Sequence, residues 1–395
     1  PATGTAFALG DSGDTFTVPS GATIVNSGTA TGFGITQTSF LPNAQPLIIN
    51  GDMQVAQRST SETGVTTSGY YATDRNKMTI GSIGTYTIAQ ESLTSGAAYT
   101  DGFSKAFRVD CTTADASPAA SDEISFDYKI EGQDLQLFKK GTANAEKYTL
   151  AFWVKSNQTG VGQVNLQDRD SFRMCSATYT IAVADTWEHK ILNYAADTTG
   201  VLDNNNAESF RIDFWLDSGS DYKSGTAPTA WEAAATGDKN ASGTLSIADS
   251  TSNDWAITGI QLEVGEYSSS DLPPFRHETY GGNLQRCQRY YYKATRGVAD
   301  TTIGPSRWYS SSSVGGMFNF PVTMRSQPAF DNTTGTNFFN SSGSNANNYF
   351  DDLTFNDSAY TTLGWYKSGV TGTQGDGGML MTGNSGCVLA FDSEL

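Results

Sequence analysis

An all-β fold is predicted by three features of this 395-residue chain. Aromatic residues make up 12% of it and charged residues only 16%, a balance that suits pleated, half-buried surfaces. Forty-one glycines, with abundant Ser, Thr and Asn, supply tight polar turns. Long amphipathic stretches of Ala, Leu, Glu and Lys are nearly absent, which leaves little material for helices. The length exceeds that of one ordinary core, so two or three domains are expected.

Residues 1–45 contain no Lys or Arg. Within them Asp14–Gly21 and Ala22–Gly28 read as two short strands closed by Ser-Gly turns. Each offers two or three apolar side chains on one face, too few to bury a core alone. A docking partner, or sister chains wound about a three-fold axis, would supply the missing surface. Residues 46–272 read as one sizeable two-sheet β-sandwich. Leu47–Met53 is expected as an apolar strand ending in an Asn-Gly turn, followed by strands at Tyr70–Arg75, Ala106–Asp110, Tyr148–Val154, Thr186–Leu192 and Phe210–Leu216. The last places Phe210, Ile212, Phe214 and Leu216 on one face, with Arg211, Asp213 and Trp215 on the other. Glu131–Lys140 is expected as a short helix or turn.

Residues 273–296 read as a linker. Pro273 and Pro274 cannot continue a central strand. Leu284, Cys287, Gln288 and Tyr291 share a face at helical spacing, which predicts one or two helical turns. Between Phe275 and Arg296 five basic residues stand against one acidic residue, Glu278; an acidic neighbouring domain is the expected partner for them. Residues 297–395 are expected to form a smaller C-terminal β-sandwich with strands at Met317–Val322, Leu363–Tyr366 and Cys387–Asp392.

Net charge is −17. An acidic surface repels phosphate backbones and anionic lipid, so neither nucleic-acid binding nor membrane binding is expected. No apolar run approaches the roughly 20 residues of a spanning helix, and the opening Pro1–Gly4 lacks the charged and apolar regions of a secretory signal. Cys111, Cys175, Cys287 and Cys387 are far apart and read as buried thiols of a chain made in a reducing cytoplasm.

Catalytic constellations are not expected. His189 and His277 are the two histidines, and Gly383–Gly386 lacks the spacing of a nucleophile elbow. Phosphate-loop, dinucleotide and zinc-protease motifs are absent from the sequence. With 41 acidic residues some carboxylate pair will always suit glycoside cleavage, so that chemistry is not decided by the sequence. No cofactor is expected; a structural calcium is the open alternative, with oxygens from Asp203–Glu208 and Glu263 as candidate donors.

Several stretches, in order, resemble bacteriophage tail-fibre, tail-spike or virion adhesion proteins that carry a carbohydrate-binding-like jelly roll. These are Ile48–Met53 with Ala56–Arg58, Gly69–Tyr71 with Asp74–Arg75, Phe152–Ser156, the loop tryptophan Trp231, and the run from Ile257 to Lys293. The opening also resembles the start of calcium-carrying carbohydrate-binding jelly rolls, although Gln54 stands where that pattern has Glu. Thr17–Ile24 with Ser27–Ala30 resembles elements near the start of some phage fibre proteins. The resemblance implies a non-enzymatic homotrimer on the virion that adsorbs to host-surface glycans, attached to other virion proteins through residues 1–45. A capsid decoration protein without a specific ligand is the alternative; a polysaccharide depolymerase is a further one, weakened by the absence of a long repeated coil. Sugar recognition would use aromatic faces, and the candidates are Trp231, Trp308, Tyr309, Trp365 and Tyr366.

Overall fold

The computed structural model describes residues 45–295, 297–332, 335–343 and 346–395. The expected attachment and trimerisation segment, up to residue 44, and Arg296 lie outside the described residues.

In chain order the first part contains β1 (Ser61–Val65), β2 (Gly69–Tyr70), β3 (Asn76–Gly81), β4 (Thr85–Ser92), the four-residue helix α1 (Ala97–Thr100), β5 (Lys105–Thr113) and β6 (Glu123–Glu131). Next come β7 (Tyr148–Ser156), β8 (Gly160–Asp168), β9 (Arg173–Ile181), β10 (Glu188–Tyr194), β11 (Glu208–Ser218), β12 (Glu232–Ala233) and β13 (Asp254–Val264). They build a six-stranded sheet in the order β1-β4-β5-β13-β7-β10 and a seven-stranded sheet in the order β12-β9-β8-β11-β6-β3-β2. The chain crosses repeatedly between these sheets, a jelly-roll-like winding that buries one face of each.

Period-two patterning places the core. Phe210, Ile212, Phe214 and Leu216 of β11 are fully buried between the sheets. Phe107 and Phe152 from the first sheet interlock edge-on with Phe126 and Phe214 from the second, each pair at a centroid distance of 5.0 Å. On the opposite face of β11, Asp213 and Trp215 are also buried. The segment following β11 covers this face, with Gln163 Nε2 donating to the Asp238 carbonyl at 2.7 Å and Asn165 Nδ2 to the Lys239 carbonyl at 2.8 Å.

Leu47–Met53 is a buried turn rather than a strand. Asn50 and Met53 both sit at positive φ, 60° and 58°, and a strand cannot accommodate them. The Asn50 side chain holds the turn: its Oδ1 accepts from the Val55 amide at 2.9 Å, and its Nδ2 donates to the carbonyls of Val55 and Asp74. The next expected strand is shorter than foreseen, because the ladder ends at Tyr70 and Arg75 adopts φ 71°. Gly51 faces a bulge in β13, where the Ile260 amide donates to the Gly51 carbonyl at 3.0 Å and Gly259 takes φ 63°.

Helix α2 (Tyr280–Gln288) follows the two prolines, with Thr279 accepting the Gly282 amide as its N-cap. The helix ends before Tyr291, which instead opens strand β14 (Tyr291–Lys293). The stretch read as a linker therefore supplies a strand to the next sheet. Two of its basic residues form ion pairs: Arg289 grips the fully buried Glu131 through two bonds of 2.8–2.9 Å, and Arg286 pairs with Glu278 at 2.6 Å.

The remaining strands are β15 (Thr302–Ser310), β16 (Ser313–Asn319), β17 (Ala329–Asn332), β18 (Phe339–Gly343), β19 (Ala346–Phe350), β20 (Thr354–Ser358), β21 (Thr362–Ser368), β22 (Gly377–Thr382) and β23 (Leu389–Asp392). They form a three-stranded sheet, β14-β23-β17, and a seven-stranded sheet, β19-β18-β22-β15-β16-β21-β20. A separate core that includes Trp308, Phe318, Trp365, Leu380 and Phe391 lies among them. Glu394 returns to the first sandwich, where it meets Arg75 and Arg58; the Arg75 guanidinium also packs 3.5 Å from the Tyr290 ring centroid.

Candidate functional site

The five aromatic candidates separate into buried and exposed sets. Trp231, Trp308 and Trp365 are only 8%, 2% and 2% exposed, which corrects the expectation that their faces meet a ligand. Trp231 fixes its loop: its Nε1 donates to the Ala195 carbonyl at 2.7 Å, and its ring packs against Tyr148 and Phe210. Lys140 lies 4.5 Å from its ring centroid and is itself held by Asp168 and Asp197. Trp308 and Trp365 fill the C-terminal core. Tyr309 and Tyr366 instead stand on the outer face of the same sheet, because each follows a core-facing tryptophan in a strand of period two.

Register brings these two tyrosines together. Gly315 of β16 pairs with Arg307 on one side and with Tyr366 on the other. A side chain at Gly315 would come within 2.5 Å of Tyr309 Cε2 and 3.3 Å of Tyr366 Cβ, so the bare glycine lets the Tyr309 ring lie on the sheet. Met317 pairs with Gly364 in the next outward row. The result is a recess of about 450 Å³ lined by Tyr309, Ser313, Met317, Gly364 and Tyr366, with Gly316 and Trp365 at its floor. Tyr309 is 51% exposed and Met317 54%.

No charged side chain lines this recess. At its edge the Arg307 guanidinium is 5.8 Å from the Tyr309 ring centroid, and among the described residues it has no ion pair. The Trp365 Nε1 is buried beside Gly316 without a hydrogen-bond partner among the described residues. A neutral hollow with flat aromatic walls and hydroxyls at its margin suits the apolar C–H face of a saccharide ring. The sequence reading missed Gly315, Gly364 and Met317; the glycines interrupting two otherwise regular strands were the available signal.

A second chemical cluster lies on the covered face of the central sandwich. Asp127 and Asp213 are directly opposite each other on β6 and β11. Asp127 accepts from Ser125 and Thr79, and Asp213 accepts from Gln167. Burial, reinforced by the Asp127 charge, raises Asp213 to about 8. These carboxylates are 1% and 3% exposed, out of reach of a polymer in this conformation.

Among the described residues no group of three or more His, Cys, Asp or Glu is arranged to hold a metal. In the Asp203–Glu208 loop, Asn206 is spent on Arg325: its Nδ2 donates to the Arg325 carbonyl, and Arg325 Nη1 donates to the Asn206 carbonyl. Glu263 is half-buried, and burial raises its carboxyl above the usual range. All four cysteines are buried and unpaired. No helix among the described residues is long and apolar enough to cross a membrane.

No protein-family model matches the chain, and no curated sequence matches it. Solved structures give low-level likenesses. One is the enzymatically active domain of tailspike protein 4 of bacteriophage CBA120, at 13% identity and TM-score 0.28, covering 55% of this chain and 21% of that one. A CBM4 structure shares 12% identity over 54% of this chain and 97% of its own, with TM-score 0.28. The family 11 carbohydrate-binding module of Clostridium thermocellum shares 11% identity over 53% and 97%, with TM-score 0.22. The chain thus spans about a fifth of the tailspike domain. Likeness at this level leaves function to be argued from the chain's own residues.

Proposed function

We propose that this chain is a non-enzymatic glycan-binding adhesin, carried on a bacteriophage virion as a homotrimeric fibre or spike and used to adsorb to the host surface. The observation that carries the glycan reading is the neutral recess in which Tyr309 and Tyr366 flank Gly315. Stacking on those rings would supply affinity, while Ser313 and the tyrosine hydroxyls would select among sugar hydroxyls. The virion and trimer parts rest on the resemblance of the motif segments between Ile48 and Lys293, and of the opening residues, to phage adhesion proteins. Absence of catalysis is favoured by the burial of the Asp127–Asp213 pair.

A glycan-array screen of the full chain tests the binding reading: selective retention supports it, and uniform absence of retention rejects it. Incubation of bound glycans followed by reducing-end assay tests for catalysis, and new ends would overturn that part. Analytical ultracentrifugation tests assembly, with a trimer mass expected and a monomer contradicting it.

A further inference from the structure

The outer face of the six-stranded sheet carries another groove, independent of the tyrosine recess. Trp153 of β7 and His189 of β10 are cross-strand partners, and their rings stack at 4.9 Å and 30°. Asp101, immediately after α1, accepts the Trp153 Nε1 proton at 3.1 Å and so fixes the indole. The opposite wall is the segment that follows β13. Gln261 ties that segment down by donating to the Pro273 carbonyl at 2.9 Å. Phe275 and His277 pack there against Phe103, at centroid distances of 4.9 and 5.0 Å. Gly259 lies under Phe103, where a side chain would come within 2.7 Å of the ring. Between the walls is an open groove of about 430 Å³.

Its electrostatics select one class of ligand. No lysine or arginine lines the groove, and Asp101 is its carboxylate. Arg276, between the two wall aromatics, is not part of the lining and acts on Glu263. Burial lowers the basicity of His189, which favours a neutral imidazole. Behind His277 stands Asp52, 3.8 Å from its Nδ1. Ring faces are electron-rich, and a carboxylate beside them completes the pattern that attracts an organic cation. The chain's net charge of −17 adds a long-range field of the same sense.

We propose that the groove formed by Trp153, His189, Phe275, His277 and Asp101 binds an organic ammonium group, borne by an amino sugar or by a choline substituent. The cation sits against the aromatic walls with Asp101 as its counter-charge. The two histidines of the chain both line this groove, so imidazole proton resonances report on it directly. The full chain is titrated with choline or glucosamine, and in parallel with the neutral counterparts 3,3-dimethylbutan-1-ol and glucose. Saturable shifts of both histidines by an ammonium compound, with no matching response to its neutral counterpart, are expected. Choline alone, glucosamine alone or both acting identifies the source of the ammonium group. Asp101→Asn, at an exposed position, should weaken the response by about tenfold, and Trp153→Ala should abolish it. Tyr309→Ala should leave it unchanged. Failure of both ammonium compounds to shift the histidines, equal shifts from the neutral counterparts, or full affinity in folded Asp101→Asn would overturn the proposal. None of these outcomes bears on the tyrosine recess.

Discussion

The backbone amide of Asn50 donates to Oδ1 of Asn283 at 3.1 Å, joining positions 233 residues apart. Asn283 Nδ2 also donates to Asp52 Oδ1 at 3.2 Å, and Gly51 accepts from Ile260 in the β13 bulge. Two of the motif segments read in the sequence thus meet at one point: the opening turn, and the run from Ile257 to Lys293 through both the closing strand of the sandwich and helix α2. The junction is a knot of buried hydrogen bonds.

Asn283 is 2% exposed, so Asn283→Ala leaves the Asn50 amide buried without its acceptor. The expected loss is about 1–3 kcal/mol of unfolding free energy. Chemical denaturation measures it, and an unchanged midpoint would contradict the assignment.

Arg289→Ala removes the bidentate partner of Glu131, whose side chain is fully buried. Tyr290 Oη still donates to that carboxylate at 2.5 Å, but its charge loses its counter-ion. A loss of about 3 kcal/mol is expected, at the low end for an unpaired buried charge because Arg289 itself is 29% exposed. Thermal melts of Arg289→Ala and Arg289→Lys should rank alanine lowest; equal stability of alanine and wild type would refute the role.

Much of the sandwich was legible because strands such as β7 and β11 carry strong period-two patterns over a large core. The opening turn was misread because Leu47–Ile49 is an apolar run with Ile48 and Ile49 buried, which periodicity cannot distinguish from a strand. What decides it is the side-chain bonding of Asn50, visible only once Asp74 and Asn283 are near. Of the site, Tyr309 and Tyr366 were legible as aromatics next to a tryptophan. Which member of each pair faces outward depends on cross-strand register, and that is set by partners far along the chain. The Trp153–His189 groove was hidden for the same reason.

Trp231→Phe should separate loop anchoring from recognition. It deletes the bond from Nε1 to the Ala195 carbonyl, and a loss of roughly 1–2 kcal/mol is expected. Glycan binding should persist. Loss of binding in a variant that stays folded would reinstate Trp231 as a contact.

Asp213 gives a pH dependence of unusual sign. Its folded-state value of about 8 lies above the roughly 3.9 of an unfolded chain. The native state therefore retains a proton that the unfolded state has released, and this contribution to stability declines as pH rises from about 4 to about 8. Asp213→Asn is neutral throughout and should gain on the wild type across that window. Calorimetric melts near the two ends check it; a wild-type-to-variant difference that stays constant with pH would contradict it.

The central claim is that the recess around Gly315 holds a saccharide against Tyr309 and Tyr366. Its most direct test is calorimetric titration of an array-selected glycan into the wild type and the Tyr309→Ala/Tyr366→Ala double variant. Two lost aromatic contacts should raise Kd by roughly 30-fold, with little change in the melting temperature because Tyr309 is half exposed. An unchanged Kd in the folded double variant would contradict the account.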